Sequence, residues 1–379
     1  MCQRCTSLER EYRQYSSAPH SFIVHADRSI ITGPGRNKEV KKGKKKILQD
    51  IVKKVSALRN TLGGHLLVHL HGQKEGDKYL EYFHEFVDKT LQDLIECGSS
   101  YVDTYHTTWL NEIPCFETFK DVLLINVALT CGISTANVNT KICNDFENTS
   151  PTTFNLVYLL AHSQYEASRG VPALKGIDQD KLQLYQESQN VELKLFCPKN
   201  DISHVQYIWE DLKLKDNITS MSKVPGGGSY YVGVEERVVT ESGYKTKVPH
   251  FVGFQVDNPE ELKEGLHIMV NKELCVLSFT GEFGDPPSDL VQIGIHRLPG
   301  VGNKCVLEVA VRFFGGIVFC DKQGPIIYEI QNHGICRMER TEWLRRILQL
   351  PSWKVIQTNE VETESEHNLN TQNIIYSRT

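Results

Sequence analysis

Apolar residues in this chain fall into short runs and helical stripes separated by glycine turns. Ser21-Phe22-Ile23-Val24 reads as a first strand. Ile47, Ile51, Val55 and Leu58 then recur every three to four residues, the spacing of a helix with one buried face. Asn60-Thr61-Leu62-Gly63-Gly64 ends that helix, and His65-Leu66-Leu67-Val68-His69-Leu70-His71 follows as a strand. Val122-Leu123-Leu124-Ile125-Asn126-Val127-Ala128-Leu129 is the longest apolar run; it is too short to cross a bilayer and reads as a buried strand. The order helix, glycine turn, strand then recurs. Val205, Ile208, Trp209 and Leu212 give helical spacing over 201–220, before Pro225-Gly226-Gly227-Gly228 and the strand Tyr230-Tyr231-Val232-Gly233-Val234.

That recurrence reads as an internal repeat of one unit: strand, helix, glycine turn, strand. The expected fold is α+β, with two pseudo-symmetric lobes of mixed β-sheet and flanking helices forming a U-shaped groove. Residues 20–165 are assigned to the first lobe with a bridging segment, and 176–350 to the second. Strand-like runs at Cys275–Phe279 and Cys305–Val311 and a helix from Arg340 complete the second lobe. Residues 1–19 are polar and expected to be mobile. Residues 351–379, with Glu360, Glu362, Glu364 and Glu366, read as a flexible acidic tail.

Charge narrows the choice of partner. The chain carries a net charge of −5, so a nucleic-acid surface has to be a local patch. One is present: residues 33–54 hold nine Lys or Arg against two acids. The first half of this window, with Gly33, Pro34, Gly35 and Gly43, is expected to be a loop leading into the helix. Lys38, Lys41, Lys42, Lys44, Lys45 and Lys46 are candidate RNA contacts, joined by Lys213 and Lys215. No aromatic residues interleave the run, which favours phosphate contact over base stacking. The eleven cysteines are odd in number and scattered, and the first residues form no apolar signal segment. Reduced thiols and a cytoplasmic location follow as expectations, with the nucleus as the alternative and no membrane partner.

The candidate chemistry lies in two segments. Glu187-Ser188-Gln189-Asn190-Val191-Glu192-Leu193-Lys194 sets two carboxylates five residues apart, with a lysine two residues after the second. The strand after the glycine turn ends in Glu235-Glu236. Three acids brought together by neighbouring strands can hold a divalent cation, and a lysine on the same face can neutralise phosphate charge. The glycine triplet itself reads first as a tight strand entry and second as a phosphate cradle.

These residues carry a family resemblance. Glu187–Phe196 is similar to the "ES-x-x-VEFK-x-F" segment of the Schlafen family, and Gly227–Glu236 to its "GG-Y-x-F-x-GV-DD" strand. Leu58–Leu67 resembles the family's first glycine turn, and Thr341-Glu342-Trp343 the end of its core. The resemblance covers residues 20–350, without the helicase-like part of long members. It implies a U-shaped core that grips structured RNA and, in several members, cleaves tRNA or rRNA at a three-carboxylate metal site. Carried over, Glu187 and Glu192 match the first two ligands of Mg²⁺ or Mn²⁺, the third falls at Glu235 or Glu236 with the alignment favouring Glu236, and Lys194 assists at the phosphate. The third acid is Asp in the family. Glutamate is longer by a methylene, which bears on strict Mg²⁺ geometry.

The family's zinc cysteines, placed after an Arg-Phe pair, have no counterpart here: Arg312-Phe313 is followed by Phe314-Gly315-Gly316. No zinc site is expected. His296, Cys305, Cys320, His333 and Cys336 read as buried thiols and ordinary histidines, Cys2-x2-Cys5 as an isolated pair on a mobile end, and His65, His69 and His71 as polar-face residues. The leading expectation is a metal-dependent endoribonuclease. The alternatives are a catalytically inactive nucleic-acid-binding or regulatory protein and a nucleotide binder using the glycine turn.

Overall fold

The amino-terminal residues fold as a helix, not as a mobile segment. In α1 (Gln3–Tyr15), Cys5, Leu8 and Tyr12 fall on one face and all three are buried. This is a computed structural model; it describes residues 2–74, 76–94, 104–130, 132–144, 147–162, 172–178, 187–198, 202–241, 244–278, 280–299, 303–332 and 334–349. The expected acidic tail at 351–379 therefore lies outside the described residues, as does most of the linking stretch 163–186.

The described chain separates into two units. One comprises residues 2–137 with 326–349, the other residues 138–325. The division thus falls elsewhere than at 165–176. The hairpin Ile326–Gln331 and Gly334–Arg337 pairs with Thr135–Asn137, and helix Arg340–Ile347 buries Trp343 with its indole N–H donating to Thr135 Oγ1 at 3.0 Å. These contacts fasten the last described segment to the first unit.

In the first unit, β1 (Ser21–Asp27) leads through α2 (Lys38–Thr61) to β2 (Gly64–His71), which lies parallel to β1. α3 (Tyr79–Asp93), β3 (Tyr105–Trp109) and β4 (Val122–Val127) follow, and the sheet order is β1-β2-β4-β3 with β4 antiparallel to both neighbours. Both faces of the sheet are covered. Val24, Leu66, Val68 and Ile125 pack on Ile51, Val55 and Leu58 of α2 and on Phe83 and Val87 of α3. Leu67 and Leu124 pack on Leu8 and Tyr12 of α1.

The second unit repeats that plan. β5 (Val191–Lys194) is followed by α4 (Leu214–Met221) and β6 (Gly228–Val232), and β5 and β6 are parallel. The hairpin of β7 (Val234–Glu241) and β8 (Tyr244–Phe251) comes next. β9 (Val291–Arg297) and β10 (Lys304–Val311) give the order β5-β6-β10-β9, with β10 antiparallel to β6 and to β9, and the two-residue strand Phe254–Gln255 adds a fifth member by pairing with the start of β10. The order β5-β6-β10-β9 has the sequence and directions of β1-β2-β4-β3.

The glycine turns correspond as well. Gly63 has φ +72° and a side-chain carbon there would lie 2.7 Å from the carbonyl oxygen of Val127, the last residue of β4. Gly227 has φ +71° and its carbon would lie 2.1 Å from the carbonyl oxygen of Val311, the last residue of β10. His65 N–H donates to His20 O, and Ser229 N–H donates to Asn190 O, at equivalent places. The internal repeat read from two glycine turns is therefore a repeat of topology.

Two expectations are corrected. The lysine run at Lys38–Lys46 is helical, because Asn37 caps α2 through Glu39 N–H and the helix carries Gly43 within it. The expected helix over 201–220 is broken into His204–Gln206, a π turn at Tyr207–Asp211 and α4, with Lys213 left-handed at φ +58° between the last two.

Candidate metal and nucleic-acid site

A tight turn brings the first two acids together. Ser188 and Val191 form an antiparallel bridge around Gln189-Asn190, with Ser188 N–H donating to Val191 O at 3.0 Å. The bridge folds Glu187 back opposite Glu192, and Glu187 Oε1 accepts from Leu193 N–H at 3.4 Å. Asn190 holds the turn against the glycine segment, donating from Nδ2 to Pro225 O and Gly227 O. The glycine turn thus supports the acid-bearing turn with its carbonyl groups, so the strand-entry reading accounts for it.

The strand alternation decides what each side chain does. Val191 and Leu193 are buried, while Glu192 and Lys194 share the other face and form an ion pair. Equivalent positions on β1 are Phe22 and Val24; Val24 lies in the first unit's core and Phe22, half-buried, packs against it. The second unit has a charged pair where the first has apolar residues, so this strand does not serve packing alone.

The third acid comes from β7. Its start lies beside β5, because Gly233 N–H donates to Lys194 O at 2.8 Å. Glu236 pairs with Lys247 at 3.0 Å across the β7–β8 hairpin, and Glu235 pairs with Arg237 at 2.7 Å. Glu187 is exposed as a residue, yet partial burial of its carboxyl raises its pKa above the ordinary glutamate value, and the charges of Glu192 and Glu236 raise it further. Lys194 acts in the opposite sense. Like charges that disfavour the ionisation of a carboxyl beside them are an electrostatic feature of cation sites, and here Glu187 carries that perturbation. Glu192 and then Glu236 supply that field. Among the described residues, however, the oxygens of these three acids are not drawn within 4.8 Å of one another; the group that meets that closeness is Cys2, Cys5, His25 and His69.

The basic residues divide by position. Lys38, Lys41, Lys42, Lys45 and Lys46 are spaced i, i+3, i+4, i+7, i+8 on α2 and are all exposed, opposite the buried stripe. Among the described residues none of these five has an ion-pair partner. Lys44 departs from the set: it is half-buried and donates to Gly33 O at 3.3 Å. Lys213 is exposed, while Lys215 is paired with Glu210 at 2.5 Å.

The histidines and cysteines depart from expectation in one place. His296 is taken up structurally: its Nε2 lies 2.8 Å from buried Glu308, which also accepts from Tyr231 OH and from the N–H groups of Lys175 and Gly176. Burial opposes the charge of Glu308, but these four partners hold its pKa below the ordinary glutamate range. His333 lies outside the described residues. Cys2 and Cys5, in contrast, do not stand alone on a mobile end: α1 carries them to His25 on β1 and His69 on β2. The C-x2-C spacing and the histidines were visible in the sequence. The parallel register that sets His25 directly beside His69 was not.

No family model matches this chain, and no curated protein matches it at a significant level, so the functional reading rests on the residues and their geometry.

Proposed function

We propose that this chain binds structured RNA, such as tRNA or rRNA, through the lysine face of α2, and cleaves it with Mg²⁺ or Mn²⁺ held by Glu187, Glu192 and Glu236. The observation that carries this reading is that the charges of Glu192 and Glu236, on two strands, both act on Glu187 in the turn, where Glu192 and Lys194 occupy positions held by apolar residues in the equivalent first-unit strand. Carboxylate oxygens are hard donors and suit either cation. Such a cation supplies Lewis acidity at a phosphate oxygen and a more acidic bound water. Lys194 is close enough to Glu192 to neutralise a phosphate oxygen once the acid turns to the metal. The U-shaped groove implied by the Schlafen resemblance belongs to the same proposal.

A second reading is favoured by a specific observation. Glu192 and Glu236 are each ion-paired to a lysine of the chain itself, Lys194 and Lys247. A binding protein that has lost its cation would hold its acids this way. Divalent-dependent cleavage of a tRNA pool, set against binding to the same pool, separates the two.

The RNA-binding half has its own test. Replacing Lys38, Lys41, Lys42, Lys45 and Lys46 with alanine is expected to weaken binding to all structured RNAs alike. The slope of log K against log salt should flatten by about 0.7–0.9 for each phosphate that is no longer neutralised. Alanine is a strong helix former, so α2 is retained. Filter binding across a salt series reads both quantities, and an unchanged affinity and slope would make this face a solvated one.

A further inference from the structure

We propose that Cys2, Cys5, His25 and His69 form a structural zinc site that fastens α1 to β1 and β2. The first argument is distance. The separations are 3.5 Å between the two sulfurs, 3.4 Å from Cys2 Sγ to His69 Nδ1 and 3.3 Å from Cys5 Sγ to His69 Nδ1. Cys5 Sγ to His25 Nδ1 is 3.8 Å and the two Nδ1 atoms are 3.3 Å apart. A tetrahedral zinc with bonds of about 2.3 Å to sulfur and about 2.0–2.1 Å to nitrogen needs edges of about 3.8 Å (S to S), about 3.6 Å (S to N) and about 3.3–3.4 Å (N to N). These five separations lie within about 0.3 Å of the edges of that tetrahedron, and all four residues have a donor atom within 4.8 Å of the others.

The second argument is the hydrogen-bond chemistry. His69 Nε2 lies 3.0 Å from Asp121 Oδ2, and an ionised carboxylate can only accept, so Nε2 carries the proton. Nδ1 then faces two sulfurs and His25 Nδ1. Bound to zinc, the ring would keep its proton on Nε2 and offer the Nδ1 lone pair, with the two sulfurs as thiolates. A cation at the centre is a partner that all four facing atoms can share. The carboxylate behind the histidine is the usual outer support of a zinc-bound imidazole, and it is itself fixed by Arg4, whose Nη2 donates to Asp121 Oδ1 at 2.9 Å.

The third argument is how the chain builds the site. Cys2 is the N-cap of α1 and accepts from Cys5 N–H, so the C-x2-C spacing turns both sulfurs to one side of the helix start. His25 and His69 are partners in the parallel β1–β2 register. Cys5 and His69 are buried, and Cys2 and His25 half-buried. Two thiolates and two imidazoles are a soft donor set, which selects zinc over the Mg²⁺ or Mn²⁺ of the carboxylates. With all four positions filled by protein, the site has no open coordination position and its role is structural.

The test is metal analysis of the untagged full chain. The wild-type protein is expected to retain zinc at about one equivalent per chain. Cobalt replacement should give visible bands of a tetrahedral ion with thiolate charge transfer in the near ultraviolet. Cys2→Ser keeps a good N-cap, so α1 stays folded by circular dichroism while zinc affinity falls about 100-fold or more. His25→Ala should behave likewise. Cys115→Ser and Cys197→Ser alter exposed cysteines elsewhere and should leave the zinc content unchanged. Three results would overturn the proposal: wild-type protein with neither zinc nor thiolate–cobalt absorption, zinc undiminished in Cys2→Ser and His25→Ala, or a Cys2–Cys5 disulfide in freshly purified protein.

Discussion

Glu192→Gln is expected to lower the rate of metal-dependent RNA cleavage by about 100-fold or more, while RNA affinity stays within a few-fold. The substitution keeps the shape and removes one negative charge. Glu192 lies between the other elements of the site: it is opposite Glu187 across the turn, ion-paired with Lys194, and contributes to the field at Glu187. Its replacement would remove one hard ligand of the proposed cation and leave Lys194 without its counter-charge. The exposed lysines of α2 are on a different element, so the phosphate contacts proposed for them should be untouched. Single-turnover cleavage and fluorescence anisotropy on the same tRNA measure the two effects separately. A variant cleaving at the wild-type rate would remove Glu192 from the mechanism.

The second large effect is one of stability. Gly227→Ala should destabilise the second unit by about 3 kcal/mol, the left-handed backbone costing about 1–2 kcal/mol and overpacking about 1–3 kcal/mol. The clash is with backbone: the added carbon would stand 2.1 Å from Val311 O, at the end of β10, and has no flexible neighbour to displace. Gly226→Ala is the control. Its φ is +80° but nothing lies within 4 Å of the added carbon. It should cost only the backbone share, about 1–2 kcal/mol. Urea unfolding of both variants gives the difference. A neutral Gly227→Ala would contradict the close approach of the turn to β10. It would also reopen the phosphate-cradle reading, since the turn would then have no packing reason for its glycine.

Much of the architecture was legible because it rests on local signals. The stripe of Ile47, Ile51, Val55 and Leu58, the two glycine turns and the apolar run of β4 each specify an element by spacing alone. Their recurrence also announced the repeat. What was not legible depends on capping or on distant chain. Gly33, Pro34, Gly35 and Gly43 make residues 33–46 read as a loop, yet Asn37 caps a helix that continues through Gly43. The burial of Cys5, Leu8 and Tyr12 at i, i+3, i+7 was a helical signal within a polar segment, but its partners Phe116, Phe119 and Leu124 are about a hundred residues away in sequence. The candidate acids were found from spacing and resemblance. That Glu187 folds back on Glu192 follows from a two-residue turn whose support, Gly227 O, comes from another element. The Cys2, Cys5, His25 and His69 group was missed because it needs α1 to be a helix and β1 to be parallel to β2 in one register.

The most direct test of the nuclease account is a divalent-ion titration of RNA cleavage by the full chain, with binding to the same RNA measured in parallel. The account predicts defined products from a tRNA pool only when Mn²⁺ or Mg²⁺ is present, and their loss in Glu187→Gln, Glu192→Gln and Glu236→Gln. Glu235→Ala, whose carboxylate is turned to Arg237, should cleave normally. Tight RNA binding with no metal-dependent cleavage, by either the wild type or a Glu236→Asp form that restores the shorter acid, would contradict it and leave the chain an RNA-binding protein.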